Sequence, residues 1–315
     1  MKGLRLEMLC IDKEIIHLHQ SKQQQMDVSI IIINYNTREL THACLQSVYA
    51  ETAGLRFEVI VIDNASVDGS REFLSSLTFK NYRYCYNDEN LGFSRANNQA
   101  AAMAAGNYLF FMNSDMIFLN NVPLILKEHM ERHSEVGILG PCFRNPDMTL
   151  QISCRNFPSL VFGCLKFFPF LKLFLSREAT EYYQKERDYS SVQEVDTVSA
   201  GALFIRRQLF ETIGRFDEFS FMYAEDADIC RQVRDRGLLV VFQPAAQLVH
   251  YGGQSSQLNS SKAIWSYYFA FYHLYKKYYF GRLAIMVKPL FLLRAVVALA
   301  ANMVRKDKRI TWQDK

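Results

Sequence analysis

Short runs of apolar residues recur along the first half of the chain, and each run ends in small polar residues. The runs cover Val28–Ile33, Phe57–Ile62, Tyr82–Tyr86 and Tyr108–Met112. Stretches of helical character lie between them, at about Arg38–Tyr49, Ser70–Leu77 and Ser94–Ala105. Runs of this length, rich in β-branched and aromatic side chains, are typical of strands buried on both faces. Their alternation with helices predicts a doubly wound, mostly parallel α/β sheet with right-handed crossovers.

The second half of the chain is less regular and shows no internal repeat. It indicates strands at Val136–Gly140, around Gly201 and at Leu238–Phe242, a helix at Glu225–Arg236, and a loop from His250. We expect three parts: an N-terminal extension (residues 1–27), one α/β domain (residues 28–256) and a C-terminal helical segment (residues 257–315).

The net charge and the cysteine pattern argue against several classes of binding partner and site. The 315 residues carry a net charge of +4, and the Lys and Arg residues are scattered, which argues against nucleic-acid binding. A modest positive charge suits anionic substrates or an anionic membrane surface. Seven cysteines without a CxxC pair argue against a disulfide framework and a zinc site. Because the N-terminal extension lacks the apolar core of a signal peptide, we expect a cytoplasmic protein.

An apolar stretch at residues 283–304 would span about 33 Å as a helix, enough to cross a bilayer core of about 30 Å. Lys288 and Arg294 interrupt it, each costing about 2.5–3.5 kcal/mol near the bilayer centre, whereas each Leu, Ile, Phe or Val contributes about 0.3–0.6 kcal/mol. Eleven such residues roughly balance the two charges. We therefore expect an amphipathic helix in the membrane interface and a peripherally associated protein. Packing on the protein's own core or in a dimer is the alternative.

Polar side chains follow two of the predicted strands. Asp63 comes directly after the second run, and Asn113-Ser114-Asp115 come directly after the fourth. Ligands of open α/β sheets bind at the carboxyl ends of strands, where Asp63 can accept hydrogen bonds from a base or ribose and Asp115 can hold a divalent cation. The segment Gly92–Asn98 opens a helix whose N-terminus, with Arg95, favours a phosphate. Turn or cap roles remain the alternative at each position.

Two more groups of residues can carry chemistry. Glu225, Asp226 and Asp228 occupy the first turn of a predicted helix, where they suit the helix dipole or supply a general base. His250 is either a structural residue or a second ligand of a cation at Asp115.

The order and spacing of these segments resemble those of family 2 glycosyltransferases, in the rhamnosyltransferase-like branch. The resemblance covers about residues 28–256. Its motifs are Ile31–Asn36, Val59–Ser70, Asn90–Asn98, Asn113–Asp115, Gly201-Ala202 with Arg206-Arg207, Gly214–Glu218 and Phe221–Asp228. The resemblance implies a GT-A fold and an inverting, metal-dependent transfer of a sugar from a nucleotide-diphosphate donor.

The resemblance also implies roles for individual residues. It makes Asp226 the catalytic base, and it puts Glu225 and Tyr223 on the acceptor side. Asp115 and His250 become ligands of Mn²⁺ or Mg²⁺. The donor-binding residues that it implies are Asn36, Asp63, Arg95, Asn97, Asn113, Asp115 and Gly201.

One departure from the family pattern concerns Asn113, a neutral residue where a DxD motif has its first acid, so that metal binding depends more on the donor diphosphate. The implied partners are a dTDP- or UDP-linked donor, such as a rhamnose or other deoxyhexose donor, and a glycan or lipid-linked acceptor at the inner face of the cytoplasmic membrane. A nucleotidyltransferase is disfavoured because Ile33–Thr37 contains no glycine. A non-catalytic scaffold is disfavoured because Asp115 and Asp226 are both present.

Overall fold

The structure is a computed structural model that describes residues 26–167, 182–184, 187–219, 221–252 and 260–304. Within these residues, ten strands form the main sheet and two short strands form a second one. Most of the predicted N-terminal extension and the last eleven residues, 305–315, lie outside the described residues.

The strands are β1 (Val28–Asn34), β2 (Phe57–Asp63), β3 (Tyr82–Tyr86), β4 (Tyr108–Asn113), β5 (Met116–Phe118), β6 (Val136–Arg144), β7 (Leu150–Gln151), β8 (Cys154–Arg155), β9 (Gln193–Glu194), β10 (Thr197–Val198), β11 (Ala202–Arg206) and β12 (Leu239–His250). The α-helices are α1 (Arg38–Glu51), α2 (Ser70–Ser75), α3 (Phe93–Met103), α4 (Val122–Arg132), α5 (Leu160–Phe167), α6 (Arg207–Thr212), α7 (Glu225–Arg234), α8 (Ser260–Tyr275) and α9 (Ala284–Val304). The main sheet has the order β3-β2-β1-β4-β11-β6-β12-β5, with β7 beside β6 and β9 beside β12, while β8 pairs with β10.

The strands β3, β2, β1 and β4 run parallel, which confirms the prediction from the alternating strands and helices. Ile30 and Phe110 pack into the core on one face of the sheet, and Ile31 and Phe111 pack into the core on the other. Because successive side chains of a strand point to opposite faces, a strand covered on both faces is apolar at every position. This burial explains the uninterrupted apolar runs in the sequence.

The strand β11 enters the sheet between β4 and β6 and runs antiparallel to both. The sheet remains mostly parallel, because β6 and β12 also pair in parallel, over more residues than β11 pairs with either of its neighbours. Periodicity alone does not reveal the direction of β11, since Ala202 to Ile205 are as fully buried as the parallel strands are.

The last strand extends much further than its predicted end at Phe242. β12 continues to His250, and its pairing with β6 is interrupted between Gln243 and Gln247. Pro244 lies in this interruption, and a proline within a strand is typical of a bulge. The bulge breaks the apolar run in the sequence, and for that reason the predicted strand end at Phe242 was wrong. The predicted loop is displaced by one residue only, because His250 is the last residue of β12 and the strand has ended at Tyr251.

The helices α8 and α9 form a hairpin whose elbow is a π-helical turn, Lys276–Phe280, followed by a short 3₁₀ turn. Tyr272 and Tyr275 of α8 pack against Ala284 and Phe291 of α9. The stretch Ser261–Asn302 is long and apolar enough to cross a membrane by length and composition.

Candidate active site

The carboxyl ends of β1, β2 and β4 meet at one edge of the main sheet. The register pairs Asn34 with Asp63 and Ile33 with Asn113. Three of the polar positions singled out in the sequence therefore lie on neighbouring strands at the edge where open α/β sheets bind ligands. We call this region the donor edge.

Asp63 is fully buried at the donor edge. One carboxylate oxygen accepts a hydrogen bond from the Ser66 amide at 3.0 Å, and the other accepts one from the Tyr84 hydroxyl at 3.1 Å. Burial and the Asp63 charge raise the pKa of Tyr84 above its ordinary value, so the hydroxyl remains a donor at neutral pH. The carboxylate is thus held in one orientation by two donors.

The loops after β1 and β2 are joined by hydrogen bonds. The backbone nitrogen of Asn36 donates to the Ser66 hydroxyl at 2.8 Å, and the side-chain oxygen of Asn36 accepts from the backbone amide of Val67 at 2.7 Å. Asn34 donates to the same Ser66 hydroxyl at 2.9 Å. Asn36 has a φ of 54°, a left-handed conformation in which asparagine is enriched. These contacts give Asn36 the role of holding the Asp63 loop in place.

The residues after β4 contact the same loops and the turn before β11. The Asn113 amide donates to the Gly201 carbonyl at 2.7 Å, and a Cβ atom on Gly201 would lie 3.1 Å from the Asn113 side-chain nitrogen. The buried Ser114 hydroxyl is 2.8 Å from that of Thr37. Gly201 therefore allows the close packing of the Asn113 side chain.

Asp115 and His250 lie together at the end of β12. Asp115 Oδ1 is 3.4 Å from His250 Nε2, and the Tyr251 amide donates to the Asp115 carbonyl at 3.0 Å. Gln151 Nε2 donates to the Asn145 side-chain oxygen and to the His250 carbonyl, which leaves Gln151 Oε1 to accept from His250 Nδ1 at 2.5 Å. This network makes His250 Nδ1 a hydrogen-bond donor, so in the neutral imidazole, the form that binds metal ions, the Nε2 lone pair faces Asp115.

That arrangement fits a divalent cation. His250 Nε2 is buried and has no hydrogen-bond partner among the described residues. A buried lone pair beside a carboxylate is costly unless a positive group satisfies both. Metal–ligand distances of about 2.0–2.2 Å put two ligands of one cation about 3 Å apart, close to the observed separation. The described residues contain no group of three or more His, Cys, Asp and Glu side chains placed to hold a metal, so further ligands would be oxygens of the substrate, of water or of neutral protein groups.

The segment Gly92–Asn98 contacts the loop that leads to α7. A Cβ atom on Gly92, which has a φ of 84°, would lie 2.4 Å from the Phe221 carbonyl oxygen, and that oxygen accepts from the Phe93 amide at 2.8 Å. Arg95 is exposed and pairs with Glu218 at 3.5 Å. Gly92 therefore allows a close approach between the start of α3 and this loop.

Asn97 and Asn98 of the same segment are both buried in α3. Asn97 donates to the Phe93 carbonyl at 2.9 Å, whereas Asn98 binds the amide and the carbonyl of Phe216. Asn98 is thus the residue of the pair that holds the neighbouring loop.

The helix α7 begins with Glu225 and Asp226 after a strained turn. Tyr223 and Ala224 have φ values of 80° and 64°, left-handed conformations that L-residues rarely adopt. Asp226 Oδ2 lies 3.9 Å from the Arg155 guanidinium, and Asp226 Oδ1 accepts from the Ala227 amide. The turn thereby points the first carboxylates of α7 toward β8.

The two adjacent acids have different protonation behaviour. Burial, and then the Asp226 charge, raise the pKa of Glu225 to about 8. Burial also raises the pKa of Asp226, but Arg155 opposes that shift. The opposing effect of Arg155 acts on Asp226 and not on Glu225, which favours Asp226 as the ionised member of the pair, the state that a general base needs.

Gln151 and Arg155 connect the two halves of the site. Gln151 contacts His250, and Arg155 lies beside Asp226, four residues further along an extended segment. Four extended residues span at most about 14 Å, so one short segment contacts both a candidate cation ligand and the candidate base. Sequence analysis missed both residues, because the strands β7 and β8 have only two residues each and show no periodicity.

The sequence model of the family described as "Glycosyl transferase family 2" matches residues 29–214. A relative from Mycobacterium tuberculosis (strain CDC 1551 / Oshkosh), N-acetylglucosaminyl-diphospho-decaprenol L-rhamnosyltransferase, is 30% identical over 63% of this chain and 67% of its own length. Rhamnosyltransferase WbbL from Escherichia coli (strain K12) is 25% identical over 79% of this chain and 93% of its own.

Among solved structures, the mannosyltransferase PcManGT from Pyrobaculum calidifontis, in complex with GDP-Man and Mn²⁺, is similar with a TM-score of 0.54 at 17% identity. The similarity covers 90% of this chain and 76% of that one. This likeness confirms the predicted GT-A fold.

Proposed function

This chain belongs to glycosyl transferase family 2 and is a glycosyltransferase; we propose that it transfers a deoxyhexose such as rhamnose from a dTDP- or UDP-linked donor to a lipid-linked glycan. The observation that carries the proposal is the short segment from Gln151 to Arg155, whose two ends contact His250 of the Asp115–His250 pair and Asp226. The names of the relatives supply the sugar and the lipid-linked acceptor.

In this proposal the donor edge binds the nucleotide. The Asp63 carboxylate, oriented by Ser66 and Tyr84, accepts hydrogen bonds from the base or the ribose. Asn36, Asn113 and Gly201 shape the pocket, since their side chains and backbone join the loops around it. Asn97 and the exposed Arg95 line the side formed by α3, where the positive charge of Arg95 suits a phosphate.

Asp115 and His250 would hold a divalent cation, which supplies positive charge that stabilises the nucleoside-diphosphate leaving group. Solved structures of the fold contain Mn²⁺. Either Mn²⁺ or Mg²⁺ suits a carboxylate ligand, and an imidazole ligand favours Mn²⁺. Since Asn113 is neutral, donor diphosphate oxygens would complete the coordination.

Asp226 would act as the base of a single displacement. It removes the proton of the acceptor hydroxyl, whose oxygen forms the new bond to the anomeric carbon while the bond to the diphosphate oxygen breaks on the opposite side. The configuration at the anomeric carbon is thereby inverted. Glu225 and the aromatic ring of Tyr223, which packs on Tyr267 of α8 at 5.7 Å, would line the acceptor side.

The C-terminal hairpin would place the enzyme on the inner face of the cytoplasmic membrane. On α9, Ile285, Met286, Leu293 and Val296 are 55–76% exposed. An exposed apolar band beside basic residues is typical of an interfacial helix. We accordingly propose that residues 28–256 form the catalytic domain and residues 257–315 the membrane-associating segment, peripheral to the membrane.

The membrane proposal predicts that Leu293→Asp with Val296→Asp abolishes co-sedimentation with vesicles of phosphatidylglycerol and phosphatidylethanolamine. Both side chains are exposed, so the variant should keep the melting temperature of the parent protein. The matched control is Lys276→Met, an exposed change outside the apolar band. Full retention of vesicle binding by the double variant would show that this face is not the anchor.

The function is tested by incubating the purified full chain with a panel of dTDP-, UDP- and GDP-sugars, with and without Mn²⁺, and with a diphosphate-linked lipid acceptor. We expect transfer from a deoxyhexose donor that requires the added cation. Transfer of another sugar would correct the donor assignment. Formation of a nucleotide sugar from a sugar phosphate and a nucleoside triphosphate would instead indicate a nucleotidyltransferase.

A further inference from the structure

A charged cluster joins the elbow of the C-terminal hairpin to the base helix α7. Asp228, two residues after Asp226, is 1% exposed. The Lys277 ammonium lies 2.8 and 3.0 Å from its two carboxylate oxygens, and the Tyr278 hydroxyl donates to Oδ1 at 2.8 Å. Gln232 donates to Oδ2 at 2.8 Å. A carboxylate as deeply buried as this one is stable only with such partners.

The same lysine reaches the loop that is held by α3. Lys277 donates to Asp217 at 2.9 Å, and Asn98 of α3 binds the neighbouring Phe216 through its amide and carbonyl. Partial burial alone would lower the pKa of Lys277, but the hydrogen bonds to Asp228 and Asp217 raise it above the ordinary value. One ammonium group therefore connects α7, the loop packed on α3 and the hairpin elbow.

The cluster lies where the backbone needs support. Tyr223 and Ala224 hold left-handed conformations directly before α7, and the Asp228 amide donates to the Ala224 carbonyl at 2.9 Å. Strained backbone conformations persist only where surrounding contacts hold them in place. Fixing Asp228 from outside the helix also fixes the turn that orients Asp226.

We propose that Lys277 and Tyr278 are positioning residues of the transfer reaction, which hold the first turn of α7 and through it the Asp226 carboxylate. The proposal rests on the proposed role of Asp226 as the base. It makes the C-terminal hairpin part of the catalytic unit in addition to its role at the membrane. Neither residue touches the reacting atoms in this account.

The test compares Lys277→Met with Lys276→Met, a neighbouring exposed lysine on the same turn. Displacement of a reacting group by about 1 Å costs on the order of 100-fold in rate, so we expect kcat of Lys277→Met to fall about 10- to 100-fold. The KM for the donor should change by less than about twofold, because the donor edge is untouched. Lys277→Arg should restore most of kcat, and Tyr278→Phe should lower kcat less than Lys277→Met does.

A second measurement needs no turnover. Hydrogen exchange of the amides of residues 225–228 should be faster in Lys277→Met than in Lys276→Met, while exchange in β1 and β2 stays unchanged. Equal exchange and equal kcat in the two methionine variants would overturn the proposal. A uniform loss of protection throughout the Lys277→Met protein would also overturn it, because Lys277 would then stabilise the whole fold and not α7 in particular. If the unmodified protein shows no transfer at all, the proposed function fails, whereas the exchange result still decides whether the elbow holds α7.

Discussion

The donor edge and the base helix are built in opposite ways. At the donor edge, Asp63 and Asn36 are held by Ser66 and Val67, residues that lie on the adjacent loop of the sheet. At the base helix, Asp226 and its neighbours are held by side chains far along the chain, Arg155 before α7 and Lys277 after it. The difference indicates that the donor edge is pre-organised by the sheet itself. The base, in contrast, depends on the short segment β7–β8 and on the hairpin.

Both regions contain left-handed backbone, and the loops of the donor edge have it at Asn36 and Ala65. The base helix begins after two residues with left-handed conformations, and the buried Glu225 Oε2 has no hydrogen-bond partner among the described residues. Strain and unpaired polar atoms concentrate at functional sites. We therefore expect changes at the donor edge and cation site to weaken binding, and changes around α7 to lower turnover.

The largest effect on donor binding should come from the cation site. Asp115→Asn removes one of the two proposed cation ligands, and we expect cation-dependent donor affinity to fall at least about 100-fold. Gln151→Leu should lower it about tenfold, because His250 loses the hydrogen bond that assigns its proton to Nδ1. Titration of donor and Mn²⁺ by calorimetry checks both variants.

The exposed Asp88→Asn, on the loop after β3, is the control for the cation site. An Asp115→Asn protein that binds the donor with unchanged affinity and cation dependence would remove Asp115 from the metal role. If Gln151→Leu binds the donor as tightly as Asp88→Asn does, cation binding does not require that His250 keep its proton on Nδ1.

A smaller effect separates the base helix from the donor edge through pH. Arg155 opposes the raised pKa of Asp226, so Arg155→Met should raise that pKa further. A base works only when deprotonated, and the acid limb of the kcat profile should therefore move to higher pH. Donor affinity should stay unchanged. The control is Arg132→Met, whose arginine pairs with Glu128 on the exposed side of α4; an unmoved acid limb in Arg155→Met would contradict the assignment.

The parallel part of the fold could be predicted because each of its strands is visible in the sequence as a local run of apolar residues. β1, β2 and β4 are buried on both faces, and β3 is a short aromatic edge strand, so each run appears in the sequence with errors of about a residue. The bulge near Pro244 concealed the far half of β12, and the three-residue strand β5 carries too few positions to show a period.

The residues of the candidate site divide in the same way, into those that a local sequence pattern marks and those that it does not. Asp63, Asp115 and Asp226 follow strands or open a helix, and their positions could be inferred from the chain alone. Gln151, Arg155 and Lys277 act through tertiary contacts with residues 49 to 99 positions away, and no local pattern marks them. Their discovery required the three-dimensional structure.

The most direct test measures donor affinity and turnover together in Asp226→Asn, with the distant Asp235→Asn at the other end of α7 as control. Loss of a general base should lower kcat by about 10²- to 10⁴-fold. Because the donor edge is built without α7, the dissociation constant of the nucleotide sugar should equal that of the unmodified protein. Turnover at the unmodified rate, or a loss of donor affinity as large as the loss of turnover, would contradict the division of the site into a donor edge and a separately held base.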